Sequence, residues 1–363
     1  MFDESPPKEI VDQFRLADLV SDDSVERVGE GHVNSTFLLG AGGDGPQGSG
    51  RVVLQRINTD VFTDPDGLMS NAVAVSDLVT SAGGSSLRFL MSDTDAPIAI
   101  DYDGRSWRAY RHVPGHCHSV PANLDEVGVV ASAFGRFAGL LTGAKAADFH
   151  MTIERFHDLD RRVEDLEAVI ALDPVGRVAE RAVDLERARD LVGRFQALDE
   201  WAAWPELPIR LAHHDAKAAN VVHGLAGTDG VAGTTTVIDL DTVMAGTIMS
   251  DVGELVRSCA RLHDEDDPAG VFIQERAEAA IVGFVSGWGQ PMPDAERLAL
   301  PAAGLWATIQ NAIRFLADHL DGDCYFSVSA PDHNLRRFRS MAIQAEGHFE
   351  ALDHLRRLTL PNC

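Results

Sequence analysis

The segment Leu211-Ala-His-His-Asp-Ala-Lys-Ala-Ala-Asn-Val-Val222 contains the pattern H-x-D-x-x-x-x-N, with His213, Asp215 and Asn220. Val237-Ile-Asp-Leu-Asp241 follows, and then Asp251. Phosphoryl transfer to a hydroxyl needs few protein groups. A carboxylate orients the acceptor hydroxyl and takes its proton, and oxygen ligands hold a divalent cation on the nucleotide phosphates. Asp215 follows the strand-like Ile209–Ala212, in a loop from which it can point into a cleft. Asn220 can turn back toward the same space, and its neutral amide oxygen ligates a cation without repelling phosphate. Asp239 follows two β-branched apolar residues, at the end of a strand. Alone, Asp215 reads as a helix cap or a turn residue. In this order and spacing they predict Asp215 as catalytic base, in contact with the acceptor, and Asn220 and Asp239 as magnesium ligands. His213 and Asp251 read as a scaffold for the loop. Lys217 reads either as a solvated loop lysine or as a contact to the transferred phosphate.

Two regions must position these groups. Before about residue 113 the chain alternates short apolar runs with turns, which predicts strands at 24–28, 34–39, 51–57, 96–100 and 107–112. Helices are predicted at 8–20 and 66–81. The run GAGGDGPQGSG at 40–50 cannot pack and reads as a hairpin loop. After Val113-Pro114-Gly115 the spacing turns helical, at 123–143, 160–200 and from 251 to about 358, with strands at 220–223 and 235–240. The expected division is 1–115, a nucleotide-binding region ending in a hinge, and 116–363, the catalytic and acceptor-binding region. With 363 residues the chain is long enough for two lobes around a cleft.

The net charge of −25 comes without any basic patch interleaved with aromatics, so nucleic acid is not an expected partner. No apolar run approaches the ~20 residues of a membrane span. The first ten residues do not read as a signal peptide, and four scattered cysteines without C-x-x-C spacing suggest a reducing compartment. The cytoplasm is the expected location. The cluster His112, His116, Cys117 and His118 fits no familiar zinc spacing.

The motif H-x-D-x-x-x-x-N followed by I-D-x-[DE] resembles the signature of aminoglycoside phosphotransferases and their relatives. That resemblance implies an α+β, protein-kinase-like two-lobed fold, with a small β-rich N-terminal lobe and a large, mainly helical C-terminal lobe. It implies ATP and Mg²⁺ as cofactors. Gly29-Glu-Gly-His-Val-Asn-Ser-Thr36, Leu54-Gln-Arg-Ile-Asn-Thr59, Ile238-Asp-Leu-Asp-Thr-Val-Met244, Arg314-Phe-Leu-Ala-Asp318 and Gly322-Asp-Cys-Tyr-Phe326 are similar to bacterial N-acetylhexosamine 1-kinases. Read with it, Gly29, Gly31, Asn34 and Ser35 belong to a nucleotide loop, although G-x-G-x-x-N alone reads as a plain hairpin turn. Gln55 occupies the place where related kinases carry a strand Lys or Arg, as it does in the N-acetylhexosamine kinases. The helix segment Gly67–Ser81 that follows has no acid before Asp77, so both members of the usual Lys–Glu pair are missing. His112 and Val113 lie in the hinge whose backbone would bind adenine. The resemblance places Arg314 and Tyr325 at the acceptor, with His32 and Thr242 as further candidates. The implied reaction is phosphorylation of a small sugar, at the anomeric hydroxyl of an N-acetylhexosamine, by a monomer or homodimer. An aminoglycoside or other amine acceptor is the alternative, motivated by the acidic composition. A nucleotide-binding regulator without transferase activity is a third reading, motivated by the missing Lys–Glu pair.

Overall fold

The structure is a computed structural model and describes residues 5–19, 25–28, 34–40, 50–224, 234–263 and 266–359. In chain order its elements are α1 (Lys8–Gln13), β1 (Val25–Arg27), β2 (Ser35–Leu39), β3 (Val52–Arg56), α2 (Pro65–Ser81), β4 (Phe89–Leu90), β5 (Ala99–Ile100), β6 (Ser106–Arg111), β7 (Gly115–His116) and α3 (Leu124–Leu140). There follow α4 (Leu159–Leu172), α5 (Ala182–Gln196), α6 (Asp199–Ala202), β8 (Arg210–Ala212), β9 (Val221–Gly224), β10 (Thr235–Val237), β11 (Met244–Gly246), α7 (Met249–Cys259), α8 (Gln274–Trp288), α9 (Asp294–Leu320) and α10 (His333–Thr359). They form two compact units. The first comprises Met1–Cys117, Gly143–Glu154 and Asn220–Ala245; the second comprises His118–Thr142, Arg155–Ala219 and Gly246–Cys363.

The first unit is β-rich. Among the described residues its main sheet is antiparallel, in the order β1-β2-β3-β6-β4, with β5 also on β6. One face packs Phe37, Leu39, Val52, Leu54, Trp107 and Ala109 onto Ile10, Val11 and Phe14 around α1. Helix α2 starts where Asp64 accepts the Gly67 N–H and Pro65 takes the first helical position. The β9–β10 hairpin adds β7 at its side.

The second unit is helical. Its core gathers Leu159, Leu166, Leu191 and Phe195 with Leu305, Ile309, Ile313 and Phe315 of α9 and Phe338 and Met341 of α10. Helices α3 and α8 approach backbone to backbone. A Cβ added to Gly135 or Gly139 would strike the carbonyl of Phe284 or Trp288, and one on Gly283 or Gly287 would strike that of Gly128 or Ser132.

Two predicted helices are shorter than their periodicity. The segment 8–20 leaves the helix after Gln13, because Arg15 takes a left-handed backbone (φ 56°). The segment 160–200 breaks where Asp173 is left-handed (φ 42°), ahead of Pro174 and Gly176. No helix among the described residues is long and apolar enough to cross a membrane.

Candidate active site

In the helical unit the Asp215 loop is held through its backbone. The buried Asp251 carboxylate accepts the N–H of His213 (3.0 Å) and of His214 (2.7 Å). Burial pushes Asp251 up to about 7, against the pull of these two donors. The His213 ring is fully buried, edge-on to Phe134 and Phe137, and its Nδ1 accepts the Asp215 N–H at 3.3 Å. His214 has a left-handed backbone (φ 66°), strain of the kind that persists where surroundings over-determine a loop. Its carbonyl accepts from His157 Nε2 at 2.7 Å, and the two rings stack at 5.5 Å. Burial lowers the His157 pKa, which keeps that ring neutral. Asp215 itself stays partly exposed, and Lys217 Nζ lies 2.7 Å from its Oδ2.

The same unit carries Arg314 and Tyr325. Tyr325 is 68% exposed, so it is not a core residue, and its N–H is fixed on Asp318 (2.7 Å). The Arg314 guanidinium sits 5.7 Å over the Tyr325 ring and 5.2 Å over that of Phe326. Arg314 forms no ion pair among the described residues; Asn311 Oδ1 accepts from its Nη1 at 3.3 Å. Arg162 lies near enough for Arg314 to help lower its pKa, after burial. One and two turns before Arg314 on α9, Gln310 and Trp306 are buried, and among the described residues the Gln310 amide and Trp306 Nε1 have no hydrogen-bond partner. Sequence reasoning missed both, because an apolar helix hides a buried Gln and Trp among core residues.

In the β-rich unit the proposed cation ligands sit at one end of the β9–β10 hairpin. Asn220 immediately precedes β9, and its carbonyl accepts the Ile238 N–H at 2.9 Å. Asp239 follows, left-handed (φ 63°), ahead of a 3-10 turn, Leu240–Thr242, that buries Thr242. A neutral amide oxygen and one carboxylate are donors that Mg²⁺ accepts, with phosphate oxygens and water completing its shell. Among the described residues, no three His, Cys, Asp or Glu side chains gather as a metal cage.

The main sheet supplies a network that sequence reasoning also missed. Strand register sets Thr36, Gln55 and Arg108 side by side on β2, β3 and β6. Gln55 Nε2 donates to Thr36 Oγ1 (2.9 Å), and Gln55 Oε1 accepts from Arg108 Nε (2.9 Å). Arg108 Nη1 is ion-paired with Asp241 Oδ1, both side chains being almost wholly buried. Burial works against this charge, but Asp241, together with Tyr110 and Asp239, outweighs it and raises the Arg108 pKa. The other Asp241 oxygen accepts from Asn34 Nδ2 (2.7 Å), and Asn34 Oδ1 accepts the Asn58 N–H (3.0 Å). Thus Asn34 and Gln55, expected at the nucleotide, direct their side chains into the protein. Ser35 Oγ accepts from Arg56 Nη2 (3.1 Å). Gly29, Gly31 and His32 lie outside the described residues. At the expected hinge, the His112 N–H already donates to Arg51 O (3.1 Å) and Val113 is half-buried. Of the neighbouring cluster, His118 pairs with Glu126 and His116 stacks on His223.

A β-rich unit ending in a hairpin with Asn220 and Asp239, and a helical unit with a clamped Asp215 loop, are the parts of an α+β, protein-kinase-like fold. Solved structures agree. An aminoglycoside phosphotransferase from Alicyclobacillus acidocaldarius subsp. acidocaldarius is 16% identical, with a TM-score of 0.62 over 98% of this chain and 96% of that one. A microcompartment-associated aminopropanol kinase is 19% identical, with a TM-score of 0.62 over 95% and 98%. The amicoumacin kinase hAmiN, in complex with AMP-PNP, Ca²⁺ and Ami, is 13% identical, with a TM-score of 0.59 over 96% and 94%. The sequence model described as the phosphotransferase enzyme family matches residues 24–298, and the chain belongs to that family. It is an enzyme of the kinase type.

Proposed function

We propose that this protein transfers the γ-phosphate of ATP to a hydroxyl of a small sugar, the anomeric hydroxyl of an N-acetylhexosamine, giving a sugar 1-phosphate. The observation that carries the reaction is the Asp215 loop: a partly exposed carboxylate on a backbone clamped by Asp251. Asp215 orients the acceptor hydroxyl and takes its proton as the O–P bond forms. Asn220 and Asp239 hold Mg²⁺, which when bound neutralises phosphate charge. The hinge backbone at His112 and Val113 receives adenine.

The acceptor reading is supported by Arg314 and its surroundings. Among the described residues the Arg314 guanidinium has no carboxylate partner, and it lies over the exposed Tyr325 ring; the two suit hydroxyls and an N-acetyl carbonyl. They do not suit an ammonium group, which would meet Arg314 and Arg162 as like charges. Structural relatives that act on amine-bearing compounds, by their names, keep the amine acceptor as the reading to be tested against this one.

The experiment is ADP release with Mg-ATP against N-acetylglucosamine, N-acetylgalactosamine, glucose, choline and kanamycin, with the phosphate position assigned by NMR. Turnover on the N-acetylated sugars is expected, and Asp215→Asn is expected to lower kcat roughly 10²- to 10⁴-fold. Turnover confined to the amines would remove the sugar reading, and a 6-phosphate product would remove the anomeric one.

A further inference from the structure

A triphosphate is strongly anionic, and protein kinases meet it with a strand lysine paired to a helix glutamate. Neither residue is present here. Strand β3 offers the neutral Gln55, and the α2 side chain that reaches β6 is the Met69 thioether, 3.8 Å from Arg108 Nη1. Asp239 and Asp241 both act electrostatically on Arg108. Two carboxylates and a polyphosphate in one region repel one another unless a fixed cation stands among them.

Arg108 is a cation placed there. Its planar fork is used on two sides: Nε on Gln55 and Nη1 on Asp241. Its Nη2 makes no hydrogen bond among the described residues, although the side chain is only 3% exposed. Nη2 is not among the fully buried nitrogens that lack a partner, so its N–H groups stay open to water or a ligand. Arginine is also the side chain whose geometry matches phosphate oxygens.

We propose that Arg108 takes the place of the strand lysine and holds the nucleotide phosphates through Nη2, oriented by Gln55 and Asp241. The charge has moved one strand across the sheet, from β3 to β6, and its counter-ion has moved from helix α2 to the segment after Asp239. Asp241, with one oxygen on Arg108 and the other on Asn34, then serves as an orienting anion, and the metal is left to Asp239. This inference rests on the phosphotransferase reading and deepens it.

The test is calorimetric binding of adenosine, ADP and ATP with Mg²⁺ present. Arg108→Met combined with Asp241→Asn removes the charge pair without leaving an unpaired buried ion. This double variant is expected to bind adenosine like the wild type, and ADP and ATP on the order of 10- to 100-fold more weakly. Adding Gln55→Lys, which restores a cation at the β3 position, is expected to recover part of that loss. Unchanged ADP and ATP affinity in the double variant would overturn the proposal and leave the pair a purely structural one. If the double variant does not fold, NMR of the wild-type arginine side chains decides. The Arg108 guanidinium signal should shift with ADP and not with adenosine, and a signal indifferent to ADP overturns the proposal. A wild-type chain that binds none of the three ligands would instead sink the phosphotransferase reading itself.

Discussion

The two units fix their charged groups by different means. In the β-rich unit, Asp241 and Arg108 hold each other side chain to side chain, with Gln55 and Asn34 completing the set. In the helical unit, Asp251 holds main chain: its two oxygens face the N–H groups of His213 and His214. The difference is one of replaceability. A pair of side chains can be removed together and leave no uncompensated charge. A backbone donor cannot be removed, so taking away the carboxylate that meets it leaves that donor uncompensated.

That contrast makes predictions of graded size. The largest is for Asp251→Ala, which strands two buried N–H groups and should destabilise the chain by about 4 kcal/mol in urea titration. Asp251→Asn, with one acceptor left, should lose about half as much; equal losses would show that charge, and not acceptor count, matters. Next, Asp241→Asn alone leaves Arg108 unbalanced in a buried site and should cost about 3 kcal/mol, whereas the same change with Arg108→Met should bring stability within about 1 kcal/mol of the wild type. A double variant as unstable as the single one would erase the distinction between the units.

A third prediction concerns pH. Burial lowers His348 to about 4, while its Nε2 donates to Pro301 O at 2.8 Å. A pKa depressed below its unfolded value near 6.5 contributes stability that is present above that value and lost as pH falls through about 4. His348→Gln, which can keep the donor, should flatten that part of the stability curve, by on the order of 3 kcal/mol at its acid end. The smallest effect is expected on the surface. Arg189→Ala breaks a two-point contact with Glu167, but both side chains are about half exposed, and the loss should stay below about 0.5 kcal/mol.

Legibility in the sequence follows the same division. The Asp215 loop and the Ile238–Asp241 segment are local, so their residue order alone carries the reading. The Arg108–Asp241 pair joins residues 133 positions apart, and strand register, not spacing, brings Gln55 beside Arg108. One signal was available: Ser-Trp-Arg-Ala in a buried strand places a charge between apolar neighbours, and a buried charge requires a partner. The helix break at Arg15 was hidden because Arg does not announce a left-handed backbone, whereas Asp173-Pro174-Val175-Gly176 carried a readable break signal. Gln310 and Trp306 fit the periodicity of an ordinary core helix, and only their unmet hydrogen bonds set them apart.

The glycine-to-carbonyl contact between α3 and α8 has a genetic consequence. Where two helices touch through their main chains, there is no side chain to re-pack, and one added methyl at Gly135 or Gly287 acts as a wedge. Neither position is near Asp215 in the chain, and neither carries a reactive group. Alanine alleles at either site should therefore behave as temperature-sensitive mutants, functional in cool-grown cells and lost on warming, with the chemistry of the surviving enzyme unaltered.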